Sequence, residues 1–487
     1  MALIFTKTSR ILSNALRCNK ESIVIVQRGQ NTTVNMGEEN VKLMSEQKGA
    51  ALDSIDLQFK DIDAAYKTKS TWEIIRALVI LRTCSYNYFV DNSVKFLDLS
   101  QRFLGRSLTD FVVKPTFYGH FVAGDTPESI TSTVRKLKSG GVRPMLAVPM
   151  EEDVNENIPM DEKYGRNLSA ILDCILLSRH VEESRPMMQL KVTALIPADL
   201  VAKLTILYNE EKITVEEIAA YMETGTLVKN ECLNEEELLQ LHKGLDRLAQ
   251  VGKLAVEKKV RVLVDAEYTY LNPGMSLVTL AMMVLYNKQT PWIWNTYQCY
   301  LKGALSSIHA ELDVTKRHNV CFGAKIVRGA YMEKEKLLAL NEQREDPINP
   351  SLDATGDMYN AVVNAMLEHI KDVGTKCNII VASSNEGAVR TTIQRLEQLG
   401  IDPGEDSVCF GQLMGMADHV SFSLGSAGFP VYKSMPYGTL EDTIPYLSRR
   451  AQENRSVLQG VRKERDLLWR ELKKRVRGNT SKSMKAL

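Results

Sequence analysis

Eight short apolar runs, each followed by a stretch of helical periodicity, constrain this chain more than any other feature. They read RPMLAVPM, MMQLKVTAL, VRVLVDAE, PWIWNTYQ, CFGAKIVRG, CNIIVASS, SVCFGQLM and GFPVYKSM. Continuous apolar strands that alternate with helices are buried on both faces, the pattern of parallel strands joined by helical crossovers. Eight such repeats predict an α/β chain closed into a (β/α)8 barrel. An open doubly wound sheet is the alternative. Its usual nucleotide-binding signals are missing, because no G-x-G-x-x-G follows a run and there is no P-loop.

The rest of the chain is organised around these repeats. Residues 1–48 are expected to be a polar leader, 49–140 a helical region containing TWEIIRALVILRTCSYNYFV, 141–475 the barrel and 476–487 a polar tail. A mostly helical insertion, about 199–259, separates the second and third runs. Its KITVEE is superficially similar to the second half of a calcium loop. With Glu217 in the last ligand position, however, Ile206 and Tyr208 would take early ones and no central glycine exists, so no calcium is expected. Met1 to Lys20 carries Lys7, Arg10, Arg17 and Lys20 without an acid, a composition that resembles a mitochondrial transit peptide rather than a secretory signal, with a disordered tail as the alternative. The cysteines are scattered with no C-x-x-C, which argues against a zinc site or a disulfide scaffold and for a reducing compartment. A formal net charge of +1 gives no basic field for nucleic acid. No apolar run has transmembrane length.

In a barrel, polar residues at the ends of strands form the active face. The second run contains Lys191, the third ends in Asp265-Ala266-Glu267, the fourth holds Asn295 and Gln298, the fifth Lys325, and the sixth ends in Ser383, Ser384 and Asn385. A lysine inside a strand must pair with an acid or hold an anion; Lys191 could equally sit at a poorly buried position. Ser383, Ser384 and Asn385 suit a phosphate at a helix N-terminus, though they are also ordinary caps. After the eighth run comes PYGTLEDTIPYLSRRAQEN, where Tyr446, Arg449, Arg450 and Glu453 share one helical face. Paired guanidiniums can grip a carboxylate, and Glu453 can orient one of them. A solvated basic helix would show the same spacing.

Together these pieces resemble the proline dehydrogenase family, flavoenzymes with a distorted (β/α)8 barrel. The resemblance rests on YLSRRAQEN, GAKIVRGAYMEKE, LVDAEYTYLNP, NTYQCYLK and KVTAL, in family order over Gly141 to Arg475, with a leader and insertion like those of the mitochondrial eukaryotic branch. It implies FAD as cofactor, a small amino acid as substrate, a membrane quinone as electron acceptor, and peripheral contact with the inner membrane on the matrix side. It implies that Lys191, Arg449 and Arg450 hold the substrate carboxylate, and that Asp265, Tyr331, Leu413 and Tyr446 form the pocket walls. It further implies that Lys325 lies beside flavin N5, where bacterial members often carry arginine, and that Val327, Gly329 and Ala330 offer backbone to the flavin. Asn295 or Gln298 is similar to the amide that contacts the ring. Ser383, Ser384 and Asn385 replace the family's Thr-His-Asn, so their individual contacts stay open. Members that oxidise proline usually have tyrosine where this chain has Ser434, while the branch acting on trans-4-hydroxyproline has serine. The expected reaction is therefore oxidation of trans-4-hydroxy-L-proline to 3-hydroxy-1-pyrroline-5-carboxylate, with L-proline oxidation as the alternative. A lysine-dependent aldolase-type barrel and a non-catalytic amino-acid binder are the rivals from other classes.

Overall fold

Every one of the eight apolar runs becomes a strand in the computed structural model: β1 (Val142–Ala147), β2 (Met187–Leu190), β3 (Arg261–Val264), β4 (Ile293–Gln298), β5 (Phe322–Val327), β6 (Cys377–Ala382), β7 (Val408–Leu413) and β8 (Val431–Pro436). The structure describes residues 56–483 apart from 87, 89–91, 151–158, 405–406 and 457; the leader 1–48, including the basic stretch Met1–Lys20, lies outside the described residues. All neighbouring strands pair in parallel, in chain order, and β8 closes on β1. The closed (β/α)8 barrel is the fold its repeats predict, and the open sheet is excluded.

Side chains alternate inward and outward along each strand. The inward set Met145, Met187, Leu263, Trp294, Ile380, Cys409 and Tyr432 forms one contiguous layer that plugs the lower barrel. The outward set joins the surrounding helices in a single large core. Above the plug, Gln189, Asp265, Thr296, Gln298, Lys325 and Ser434 supply polar inward groups, which makes the C-terminal mouth the candidate site.

One expectation about register needs correcting. β2 ends at Leu190, so Lys191 is not inside the strand but at its rim, immediately before a 3-10 turn, Val192–Ala194. The rim spares the ammonium full burial, and its Nζ donates to the Met150 carbonyl at 2.9 Å.

The insertion folds as helices Ala198–Asn209, Val215–Thr224 and Glu235–Lys258. KITVEE is a helix start. Thr214 Oγ1 accepts from the Glu217 N–H at 3.2 Å, and the Glu217 carboxylate accepts from the Thr214 N–H at 2.8 Å. This reciprocal cap accounts for the threonine and the acid without a metal.

Helices Ile62–Tyr66 and Thr71–Thr83 bury Ala65, Tyr66, Ile74, Ala77 and Leu81 against Leu467 and Leu468 of the C-terminal helix Leu458–Ser483. A buried charge cluster beneath them ties Lys69 and the helix Leu458–Ser483 to the barrel. Lys433, outward on β8 and 1% exposed, pairs with Asp418 at 2.8 Å, and Asp418 also pairs with Lys69 at 2.7 Å. Glu464 accepts from the backbone N–H groups of Ala417 and Asp418 at 3.0 and 2.9 Å. His419 Nε2 meets Glu386 at 3.0 Å, its Nδ1 lies 4.0 Å from Glu464, and Lys463 pairs with Glu386.

Burial alone would lower the pKa of His419, but the carboxylates of Glu386 and Glu464 outweigh it and raise it to about 9. A raised folded-state pKa contributes stability that is complete below the ordinary histidine value near 6.5 and lost as pH rises through the folded value, on the order of 3 kcal/mol here. The thermal midpoint is expected to fall between pH 6.5 and 9.5, with a shallower fall in His419→Gln. Equal slopes in the two proteins would rule out the histidine as the cause.

Candidate active site

Strand alternation brings polar side chains from β2, β5 and β8, and from the residue after β3, to the centre of the mouth. Lys325 is inward on β5 and 6% exposed. Burying an ammonium requires a partner, and it forms an ion pair with Asp265, the residue that follows β3. Gln189, inward on β2, donates from Nε2 to Asp265 Oδ1 at 3.3 Å. Ser434, inward on β8, donates to Gln189 Oε1 at 2.6 Å. The result is an unbroken chain, Ser434–Gln189–Asp265–Lys325, that spans the barrel.

Around this chain the remaining positions take distinct places. Gln298 is inward at the end of β4, and its Oε1 accepts from Asn272 at 3.0 Å. Asn295 sits three positions earlier, on the other face. Its amide donates outward to Ser276 at 2.9 Å and Glu311 at 2.8 Å, among the surrounding helices. Of these two amides, only Gln298 faces the mouth; the strand period of two forbids both. Val327 ends β5, followed by exposed Gly329 and Ala330. Gly329 adopts φ +132°, and a Cβ there would lie 1.3 Å from the Tyr300 ring, so no other residue fits that bend. Arg328 between them stacks over Tyr359, with its guanidinium carbon 5.5 Å from the ring centroid, while its Nε is buried without a hydrogen-bond partner. Tyr331 packs on Tyr268 with centroids 4.6 Å apart.

Ser383 and Asn385 show the cap geometry that their composition left open. Asn385 Oδ1 accepts from the Ala388 N–H at 2.9 Å, and Ser383 Oγ accepts from the Asn385 N–H at 3.1 Å. They start the helix Glu386–Leu399, whose N-terminal end opens at the mouth; Ser384, between them, is half-buried. Leu413, register partner of Ser434, packs in one cluster with Tyr446, Phe121 and Leu440. The helix after β8 runs Leu440–Ser456. Thr439 begins it by accepting from the Asp442 N–H at 3.3 Å, and the helix continues through Pro445, which forgoes one backbone bond. It carries Arg449, Arg450 and Glu453, whose side chains lie outside those described.

Two contributors escaped sequence reasoning. Gln189 could have been found from the period-two spacing with Lys191 in an otherwise apolar run. Glu335 is fully buried and accepts from Thr269 N and Oγ1 at 2.6 and 2.7 Å, pinning the loop that holds Tyr268. Its only signal was an acid within GAYMEKE.

A family model described as proline dehydrogenase matches residues 130–463. The hydroxyproline dehydrogenase of Xenopus laevis is 47% identical, covering 86% of this chain and 90% of that protein. The Homo sapiens protein of the same name is 42% identical, covering 85% and 92%. Proline dehydrogenase 1, mitochondrial, of Homo sapiens is 32% identical, covering 86% and 90%. Among solved structures, proline utilization A from Bdellovibrio bacteriovorus aligns with a TM-score of 0.57 at 17% identity, covering 87% of this chain and 42% of that one. This chain therefore spans less than half the length of that protein, and the likeness is one of fold.

Proposed function

The chain belongs to the proline dehydrogenase family, and on that premise we propose that it oxidises trans-4-hydroxy-L-proline to 3-hydroxy-1-pyrroline-5-carboxylate. The observation that carries the substrate is Ser434: a small hydroxyl, inward on β8 and joined to Gln189, stands at the centre of the mouth. The names of the more similar relatives support the same substrate.

The residues present fit FAD. Lys325 brings a cation to the mouth, Gln298 presents an amide inward, and the Gly329 bend leaves backbone exposed. When bound, FAD would accept the two electrons released as the ring C–N bond becomes C=N. In the proposed arrangement Lys191, Arg449 and Arg450 hold the substrate carboxylate, with Glu453 orienting an arginine. Asp265, Tyr331, Leu413 and Tyr446 wall the pocket, and Val327, Gly329, Ala330 and the turn Ser383–Asn385 lie along the cofactor. Positioning is most of what the protein contributes. The ring nitrogen must carry its lone pair, so kcat/KM should rise with pH. A membrane quinone is the proposed final acceptor and the mitochondrial matrix the proposed location, supported by the names of the proline dehydrogenase 1 relatives and the basic leader. Among the described residues no helix is long and apolar enough to cross a membrane, so contact with the inner membrane is proposed as peripheral.

Dye-coupled turnover on trans-4-hydroxy-L-proline against L-proline tests the assignment; a clear preference for L-proline would overturn it in favour of the proline reaction. A flavin band bleached by substrate separates it from a lysine-dependent barrel or a simple binder. Lys191→Met removes one ammonium from the carboxylate and should raise KM by about 10- to 100-fold, the size of a charged hydrogen bond. An unchanged KM would remove Lys191 from the clamp.

A further inference from the structure

The hydrogen bonds across the mouth have a direction, and that direction follows from chemistry. Asp265 is ion-paired with Lys325, and a carboxylate can only accept. The end of the Gln189 carboxamide that faces it must therefore be the amide NH2, as the 3.3 Å contact has it. A flipped Gln189 would set a carbonyl dipole against the carboxylate. With its nitrogen committed, Gln189 turns Oε1 toward Ser434, and a carbonyl oxygen can only accept. Ser434 has one proton and spends it on that oxygen at 2.6 Å. What its hydroxyl has left is lone pairs.

We propose that Gln189 is a positioning residue for substrate selection: it holds Ser434 as a hydrogen-bond acceptor, so the site takes a ring substituent that donates a proton. This rests on the hydroxyproline reading above and deepens it. A 4-hydroxyl donates to Ser434 and completes the series that runs through Gln189 to Asp265. The bare methylene of L-proline leaves the Ser434 lone pair without a donor in a site where unmet polar groups weaken binding. A 4-fluoro substituent is close to the hydroxyl in size but can only accept, so it faces the same lone pairs.

The test uses the flavin-loaded full chain with trans-4-hydroxy-L-proline, trans-4-fluoro-L-proline and L-proline. It reads dye-coupled kcat and KM, together with calorimetric binding to the chemically reduced enzyme, which cannot turn over. The wild-type protein should favour the hydroxy over the fluoro compound by at least about tenfold, in KM and in Kd rather than in kcat. Gln189→Met frees the Ser434 proton to rotate toward the ligand, and the ratio should collapse to within about threefold. Gln189→Leu, which likewise offers Ser434 no oxygen, should collapse the ratio in the same way. Equal use of the hydroxy and fluoro compounds by the wild-type protein, or a ratio that survives Gln189→Met, overturns the proposal while the hydroxyproline reading stands. A wild-type preference for L-proline overturns both. Should Gln189→Met fail to fold, Gln189→Leu decides.

Discussion

Ser434→Tyr is expected to lower kcat/KM for trans-4-hydroxy-L-proline by roughly 100-fold or more, while L-proline changes by less than about tenfold. The position is inward on β8, 6% exposed, with Met145 and Leu413 as its register partners. A phenol ring there has no outlet except the space over the mouth, where the ring substituent of the substrate would lie. The substitution also removes the donor that Gln189 Oε1 receives and the acceptor proposed for the substrate hydroxyl. A site built to meet a hydroxyl loses far more than a methylene's worth of binding when its polar partner goes, so the two substrates should separate. L-proline has no substituent to collide with the ring and can pack against it. Steady-state kinetics on both substrates gives the answer. A parallel loss on both would mean that Ser434 supports the fold of the mouth rather than choosing its ligand.

The largest effect on stability is expected from Asp418→Ala, about 3–5 kcal/mol. Its carboxylate is the counterion of Lys433, which is 1% exposed, and of Lys69. Without it two ammoniums remain under the N-terminal helices with one charge partner fewer, and an uncompensated buried charge is far more destabilising than a lost surface pair. Lys433 would keep a contact to the Leu413 carbonyl at 3.2 Å, which satisfies a donor but not a charge. Adding Lys433→Met should restore most of the loss, since an apolar side chain of similar length needs no counterion. Denaturant midpoints of the two variants are the measurement. If the double variant is no more stable than Asp418→Ala, the cost lies in Asp418's other contacts and not in a stranded Lys433.

Much of the architecture was legible because barrel strands are local objects. VRVLVDAE and CNIIVASS each have a length, an apolar continuity and a following helix that declare a buried parallel strand without reference to any other part of the chain. Residue identity along the strands likewise marked Asp265 and Lys325, and the family resemblance marked Ser434; the fold does bring the three together. Lys191 shows where such reading stops: its run continues through the lysine, yet pairing ends one residue earlier, because register with β1 and β3 decides the rim. Asn295 and Gln298 were indistinguishable as amides in one run, and their three-residue separation puts them on opposite faces once the strand has a defined inside.

The sequence by itself determined the number of strands, their parallel sense, the residue types at the mouth and the family to which those residues point. Only the tertiary structure decided which polar groups meet. Gln189 acquires its role from Ser434, 245 positions away, and from Asp265, 76 away. Lys433 and Asp418 close over Lys69 because β8 turns that lysine outward beneath the N-terminal helices. Periodicity is a property of neighbours along the chain, whereas a hydrogen bond across a barrel depends on closure and register, which no local pattern encodes.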